Sequence, residues 1–182
     1  MDTDETRQGE WVRQAVDRYA GPLIRYATLI TGDLEDARDV VQDTFLRLCE
    51  EQPGRVNSHL AQWLFKVCRN RALDVQRKES RMKSLSEVEM GLHASSDRSP
   101  AAQAEQRDSA SEVLRLLSRL PKNQQEVVRL KFQYGLSYRE ISRVTNLTIG
   151  NVGFLIHVAI KTIRQQLQTK PVVAANIMRK GL

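Results

Sequence analysis

The chain has few cysteines and histidines. Two cysteines, Cys49 and Cys68, and three histidines occur in 182 residues. Two isolated cysteines cannot build a disulfide framework or a CxxC metal site. Both lie in segments with helical periodicity, so we expect small buried side chains. The histidines do not cluster with other ligand residues, and we expect no metal site.

Long apolar runs are also missing. No run approaches the length that crosses a bilayer, and the mean hydropathy is −0.46. The N-terminal segment "MDTDETRQGEW" is acidic and polar, without the apolar core of a signal peptide. These absences predict an intracellular, cytoplasmic protein.

Catalytic motifs are missing as well. The sequence has no Gly-rich phosphate loop and no His, Asp and Glu at metal-ligand spacing. It also has no Ser or Cys nucleophile motif with identifiable partner residues. We therefore expect no enzymatic activity and no cofactor.

The alternation of apolar and polar residues that is typical of strands is absent. Apolar residues instead recur at helical spacing along most of the chain. This periodicity predicts an all-α fold of two small helical domains joined by a flexible linker. Segment 80–110 gathers Ser, Gly, Pro and mixed charge, which is typical of a linker, although a short helix at Leu85–Met90 stays open. The predicted parts are a first domain at 1–79, the linker at 80–110, a second domain at 111–168 and a tail at 169–182.

Local signals indicate where the helices of the first domain begin and which sides are buried. A first helix is predicted over 9–30, Asp33 can cap a second, and Ser58 can cap a third. The predicted inward residues of the second helix are Leu34, Ala37, Val41, Phe45 and Leu48. Those of the third are Leu60, Trp63, Leu64, Val67 and Cys68.

Charge is distributed unevenly around a net value of +6. Residues 33–51 carry seven acids and two bases, residues 55–78 carry six bases and one acid, and residues 112–182 carry twelve bases and three acids. Solvated faces are one explanation. The alternative is one surface for a protein and two for a polyanion, most often nucleic acid.

The end of the chain has the pattern of a helix-turn-helix. Ser137 can cap a short helix, "TNLT" predicts a tight turn with a buried Leu147, and Thr148 can cap a longer second helix. The second helix of this motif ordinarily enters the major groove of DNA. Its predicted inward residues are Val152, Ile156, Ala159 and Ile163.

Three segments, in order, resemble a known family. They are "GDLEDARDVVQDTFLRL", "WLFKVCRNRALDVQRK" and "LSRLPKNQQEVVRLKFQYGLSYREISRVTNLTIGNV". The chain resembles a bacterial sigma factor of the extracytoplasmic-function (ECF) group of the sigma-70 family. The resemblance implies a subunit that binds core RNA polymerase and directs it to promoter DNA. A helix-turn-helix regulator that does not associate with core polymerase is the alternative.

In this family the first domain binds core polymerase through an acidic helix. Short carboxylates and an amide on a rigid helix can pair with basic residues and fix the register of the complex. The matching residues are Asp36, Asp39, Gln42 and Asp43.

The third helix and the preceding loop resemble the part that opens the −10 element. Capture of flipped bases needs cations for phosphates and polar groups such as Asn70 for base edges. The matching residues are Asn57, His59, Lys66, Arg69, Asn70, Arg77 and Lys78. For Asp74 we expect an ion pair with Lys78 or Arg77.

The helix-turn-helix domain would bind the −35 element, but its second helix departs from the family. Basic residues are usual where Gly153, Leu155, Val158 and Ile160 stand. Exposed Phe154, Leu155 and Val158 would contact thymine methyl groups or, alternatively, a protein. The candidate −35 residues are Arg139, Thr148, Asn151, Gly153, Phe154, His157 and Lys161. We expect weak, atypical or absent −35 recognition.

The resemblance also implies an anti-sigma factor as a partner. A linker that lets two domains change position suits a partner that clamps them together. The tail "TKPVVAANIMRKGL" is either a disordered end or a segment that binds a partner.

Overall fold

A computed structural model describes residues 2–90 and 110–179. These residues form eight α-helices and one 3₁₀ turn, and no strand occurs among them. The helices are α1 (Asp2–Thr31), α2 (Leu34–Cys49), α3 (Pro53–Val56), α4 (Leu60–Met90), α5 (Ala110–Leu117), α6 (Lys122–Phe132), α7 (Tyr138–Thr145) and α8 (Ile149–Arg179), and the 3₁₀ turn is Asn57–His59. The prediction of an all-α fold is confirmed.

The chain divides into two compact units. The first contains α1 to α4, and the second contains α5, α6, α7 as far as Ser142 and all of α8. Helix α4 runs to Met90, so the helix left open at Leu85–Met90 is its C-terminal end. The rest of the predicted linker, 91–109, lies outside the described residues. The predicted domain limits and tail stay predictions.

The second helix begins where the sequence predicted. Gly32 has a φ of +80°, which lets the chain turn sharply after α1. The Asp33 carboxylate then accepts hydrogen bonds from the backbone N–H groups of Glu35 (2.8 Å) and Asp36 (3.0 Å). Capping of this kind stabilises a helix by about 1 kcal/mol.

Helices α1, α2 and α4 pack against one another around large apolar side chains. The rings of Tyr26 and Phe65 meet edge to face, with centroids 5.2 Å apart and planes at 73°. Leu23, Leu48 and Leu64, one from each of the three helices, are completely buried. Each such side chain contributes roughly 1.5–3 kcal/mol through removal of apolar surface from water.

The predicted buried sides are correct in outline but wrong at particular residues. Ala37, Val41 and Leu48 are buried, whereas Leu34 is 46% exposed. Leu34 is the first residue of α2 and lies at the end of the packed interface. Phe65, which is buried, was missing from the predicted set.

The prediction that Ser58 caps the third long helix was wrong in detail. Ser58 lies inside the 3₁₀ turn that precedes α4, and its hydroxyl is 3.1 Å from Nδ1 of His59. Gln52 and Pro53 begin the short helix α3 before this turn. The two short elements thus lead the chain from α2 into α4.

In the second unit, α5, α6 and α8 pack around Leu117, Leu120, Val128 and Ala159, with Ile163 against them. Pro121 stands immediately before α6, as its N-cap. A proline is tolerated at this end because a helix start has N–H groups without intrahelical partners.

The helix-turn-helix is formed by α7 and α8. A capping box fixes the start of α7: Ser137 and Glu140 each accept a hydrogen bond from the other's backbone N–H. Asn146 ends the helix in the left-handed conformation, at a φ of 59°. The hydroxyl of Thr148 then accepts from the backbone N–H of Asn151 at 3.2 Å. Leu147, predicted as buried in this turn, is half-buried.

The direction of the chain changes by 103° between α7 and the following helix, as expected for this motif. Among the described residues, no single helix is long and apolar enough to span a membrane. Only α7 and α8 taken together reach that composition, across this bend.

The two cysteines differ, contrary to the prediction that both are buried. Cys49 is exposed at the end of α2, and Cys68 is buried in the first unit. Burial raises the pKa of the Cys68 thiol to about 12. The reactive thiolate form is therefore scarce at Cys68 at neutral pH.

We predict that one thiol of the native protein reacts rapidly with an aromatic disulfide reagent and that the second reacts only on unfolding. Cys49→Ser should remove the fast phase, since Cys49 is the exposed thiol. Absorbance of the released thiolate measures both phases. Rapid reaction of two thiols in the folded protein would show that Cys68 is accessible.

Candidate protein and nucleic-acid interfaces

The four predicted polymerase-binding residues lie on one side of α2. Asp39 and Gln42 are exposed, and Asp36 and Asp43 are half-buried. The buried residues of the helix, including Ala37, occupy the opposite side, as the helical period requires. We call Asp36, Asp39, Gln42, Asp43 and Leu46 the acidic side of α2.

Leu46 was not among the predicted site residues. It is 56% exposed and follows Gln42 by one helical turn, on the same side. An apolar side chain between polar neighbours is common in protein interfaces. The signal was present in the sequence, because Leu46 falls outside the inward pattern of Ala37, Val41 and Leu48.

Two acidic residues of α2 contact α4. The Asp43 carboxylate accepts from Nε of Arg71 at 2.7 Å, with both side chains about 40% exposed. Asp36 shares a hydrogen bond with Glu79, which is the main reason why the pKa of Asp36 is raised. Partial burial and the charges of Glu79, Asp33 and Asp39 add to this effect.

Two carboxyl groups that share a hydrogen bond must also share a proton. The raised pKa means that the folded state holds a proton on Asp36 more tightly than the unfolded chain does. This contribution to stability is complete below the ordinary carboxyl pKa and is lost as pH rises through the raised value.

The candidate −10 residues occupy the outward side of α4 and the 3₁₀ turn before it. Lys66, Asn70 and Arg77 follow one stripe of α4, opposite buried Leu64 and Cys68. Arg69 and Lys78 flank the stripe, and Asn57 is exposed at the turn while His59 is half-buried. Lys66, Asn70 and Arg77 therefore share one outward stripe, whereas Arg69 and Lys78 lie to its two opposite sides.

One predicted ion pair is confirmed on this surface. Nη1 of Arg77 lies 3.3 Å from a carboxylate oxygen of Asp74, and both side chains are mostly exposed. Ion pairs this exposed contribute little to stability. Asp74 consequently reduces the positive charge at Arg77 without fixing its side chain firmly.

The candidate −35 residues lie on the outward side of the helix-turn-helix. Arg139 is on α7, and the others are on α8 or directly before it. Six of the seven are exposed: Arg139, Thr148, Asn151, Phe154, His157 and Lys161. Gly153 is half-buried, and a Cβ added there would lie 3.5 Å from the Tyr138 ring.

The apolar character of this surface is narrower than predicted. Phe154 is 64% exposed, but Leu155 is only 8% exposed, and Val158 is half-buried. Leu155 shares the buried side of the helix with Val152 and other inward residues. The expectation that Leu155 contacts DNA or a protein partner is therefore wrong.

We predict that Glu79→Gln stabilises the protein at neutral pH and lowers the pKa of Asp36, because an amide donates to the carboxylate without competing for its proton. Nuclear magnetic resonance titration of Asp36 and thermal unfolding between pH 4 and pH 8 measure these effects. Glu50→Gln, which removes an exposed acid at the end of α2, is the control. An unchanged Asp36 titration in Glu79→Gln would contradict the prediction.

Two family models match the chain. Residues 15–82 match sigma-70 region 2, and residues 110–163 match sigma-70 region 4. The first match covers the C-terminal half of α1, all of α2, and the part of α4 that carries Lys66, Asn70 and Arg77. The second covers the helix-turn-helix.

Individual relatives agree with these matches. The chain is 32% identical to the ECF RNA polymerase sigma factor SigM of Bacillus subtilis, over 73% of this chain and 80% of the relative. It is 30% identical to SigL of Mycobacterium tuberculosis, also an ECF RNA polymerase sigma factor, over 86% of this chain and 89% of the relative.

Solved structures share the fold. The sigma factor RpoE of Bartonella quintana, in complex with the anti-sigma factor NepR, superposes with a TM-score of 0.60 at 22% identity, over 86% of this chain and 96% of that one. CnrH, in complex with the cytosolic domain of CnrY, gives 0.53 at 25% identity, over 87% and 88%. With the region 2 and region 4 matches and the curated relatives, these findings show that the chain belongs to the ECF sigma factors of the sigma-70 family.

Proposed function

We propose that this sigma factor binds core polymerase through the acidic side of α2, opens the −10 element with α4, and contacts the −35 element through an atypical recognition helix. The observation that carries the proposal is the separation of charge in the first unit. Acidic residues lie outward on α2, and basic residues lie outward on α4. One compact unit therefore offers one surface to a basic protein and another to nucleic acid.

Polymerase binding is supported by the exposure and rigidity of the acidic side. Asp39 and Gln42 project from the middle of a sixteen-residue helix, and Arg71 holds Asp43 in place through a 2.7 Å contact. Side chains held in this way lose little freedom on binding. Leu46 adds an apolar contact within the charged surface.

Opening of the −10 element is supported by the stripe of Lys66, Asn70 and Arg77 on α4. Two cations can attract phosphates of a single strand, and the Asn70 amide can donate to a base edge and accept from it. Asn57 and His59 lie at the N-terminal end of the same helix. This arrangement suits the capture of bases that have left the duplex.

Weak −35 binding is supported by the scarcity of cations on α8. From Ile149 to Gln168 the helix carries two cations, Lys161 and Arg164. Arg139 and Arg143 on α7 add two more. Phosphate contacts supply most of the affinity of a DNA-binding surface. This domain should therefore bind duplex weakly and rely on the Lys and Arg side chains that flank the exposed side of α8.

An anti-sigma partner is a further part of the proposal. The RpoE structure that shares this fold was solved with its anti-sigma factor. An inhibitor of this kind would act by covering surfaces that polymerase or DNA needs.

A run-off transcription assay with core polymerase tests the proposed function. We expect promoter-dependent initiation only when the full-length chain is added, from templates that carry a matched −10 element. The absence of both polymerase binding and promoter-dependent starts would overturn it.

We predict that Asp39→Ala and Gln42→Ala each weaken binding to core polymerase by about tenfold, equivalent to roughly 1.4 kcal/mol. Both side chains are exposed, so thermal stability should change little. Asp17→Ala removes an exposed acid from α1 and is the charge-matched control for Asp39→Ala. Equal weakening by the two aspartate changes would indicate net charge rather than a specific contact.

We also predict that Gly153→Lys increases affinity for promoter duplex. The new Cβ meets the Tyr138 ring at an ordinary contact distance of 3.5 Å, so the helix should accept it. One added phosphate contact should steepen the dependence of log K on log salt by about 0.9. Fluorescence anisotropy at several salt concentrations measures this slope.

Gln168→Lys adds the same charge at an exposed position farther along α8. It should leave the slope nearly unchanged, because it lies five helical turns beyond the start of the helix. A similar change from both variants would show that Gly153 is not at the DNA-contacting surface.

A further inference from the structure

Phe154 is the most exposed large apolar side chain among the described residues of the second unit, at 64%. It lies between exposed Asn151, one turn earlier, and exposed His157, one turn later. Exposure of an apolar ring to water is unfavourable in free energy. A binding partner that covers the ring would remove this cost.

The side chains around Phe154 favour DNA as that partner. Thr148, Asn151, His157 and Lys161 are exposed on the same helix or at its cap, and all can donate hydrogen bonds. Segment 149–168 contains no acidic residue. A surface with donors and cations but no carboxylate complements a polyanion better than it complements a basic protein.

The residues on either side of Phe154 in sequence place no side chain beside its ring on the outward side of α8. Gly153 has no side chain, and its backbone lies against Tyr138. Leu155 is directed to the buried side of the helix. Phe154 therefore projects alone from its part of α8.

In the major groove, the C5-methyl group of thymine is the apolar feature of the base edges. A phenyl ring cannot donate to the acceptor atoms of guanine or adenine, so it would leave them without a hydrogen bond. We propose that Phe154 is a specificity-determining residue that packs against the C5-methyl group of a thymine in the −35 element. The proposal rests on the proposed binding of the −35 duplex by the helix-turn-helix.

Deoxyuridine provides a direct test, because it pairs as thymine does and lacks only the methyl group. A promoter would be selected from a library with a randomised −35 region, using the full-length chain bound to core polymerase. Each thymine of the selected −35 element would then be replaced singly by deoxyuridine. Binding of the holoenzyme would be measured for wild type, Phe154→Ala and Phe154→Leu.

At one thymine, we expect deoxyuridine to weaken wild-type binding by about fourfold, the value for burial of one methyl group. Phe154→Ala should weaken binding to the thymine promoter and be insensitive to deoxyuridine at that position. Phe154→Leu should keep part of the sensitivity. Unchanged melting temperatures would show that the variants fold.

Other results would overturn the proposal in distinguishable ways. If the −35 element is required but no deoxyuridine substitution has an effect, the assignment of Phe154 fails while the proposed −35 contact stands. If scrambling the −35 element leaves initiation unchanged and the −10 element is still required, the −35 contact itself fails. Phe154→Ala could instead bind core polymerase more weakly while its sensitivity to deoxyuridine stays as in wild type. That result would show that Phe154 contacts a protein and not the thymine.

Discussion

A helix in a small helical unit buries one side and leaves the other in water, and this constraint places the charged residues of the first unit. Tyr26 and Phe65 join α1 to α4 at the centre of the packing. The acidic side of α2 and the basic stripe of α4 consequently lie opposite their own buried sides. Because both helices are anchored in the same core, the acidic side of α2 and the basic stripe of α4 keep a fixed relation to each other. Because the unbound protein is already rigid here, it would lose less conformational entropy on association.

The charges on α2 and α4 interact in two opposite ways. Arg71 and Asp43 attract each other, although at about 40% exposure the pair contributes only about 0–1 kcal/mol. Asp36 and Glu79 compete for a proton, which destabilises the folded state at neutral pH. A cation of core polymerase placed beside Asp36 would reduce that repulsion. If α2 binds core polymerase as proposed, relief of this repulsion would add to the free energy of binding.

Most helix caps, which depend on neighbouring residues, were predictable from the sequence, and the cap at Ser58 was the exception because a 3₁₀ turn precedes α4. The caps at Asp33, Ser137 and Thr148 are confirmed because each involves a hydrogen bond within two or three residues. Contacts between helices were harder to predict. Phe65 is buried and Leu34 is exposed because of where α1 and α4 meet α2, and periodicity within one helix does not contain that information. The same reason explains why Leu155 was assigned to the wrong side and why Glu79, 43 residues from Asp36, was not considered. Whether the candidate residues bind polymerase or DNA stays a prediction.

The scarcity of cations on α8, the proposed recognition helix, would change how affinity and specificity are divided. Phosphate contacts provide affinity without sequence information, whereas contacts with base edges discriminate between sequences. The second unit has few cations on α8, so its intrinsic affinity for duplex should be low. In the proposed function, covalent linkage to the first unit would offset this weakness, because a tethered domain would meet the −35 element at a high effective concentration once the first unit and core polymerase are bound. A single methyl contact by Phe154 can then influence promoter choice without having to hold the protein on DNA. The departure from the basic family pattern is thus compatible with promoter recognition, provided that the first unit supplies most of the binding free energy.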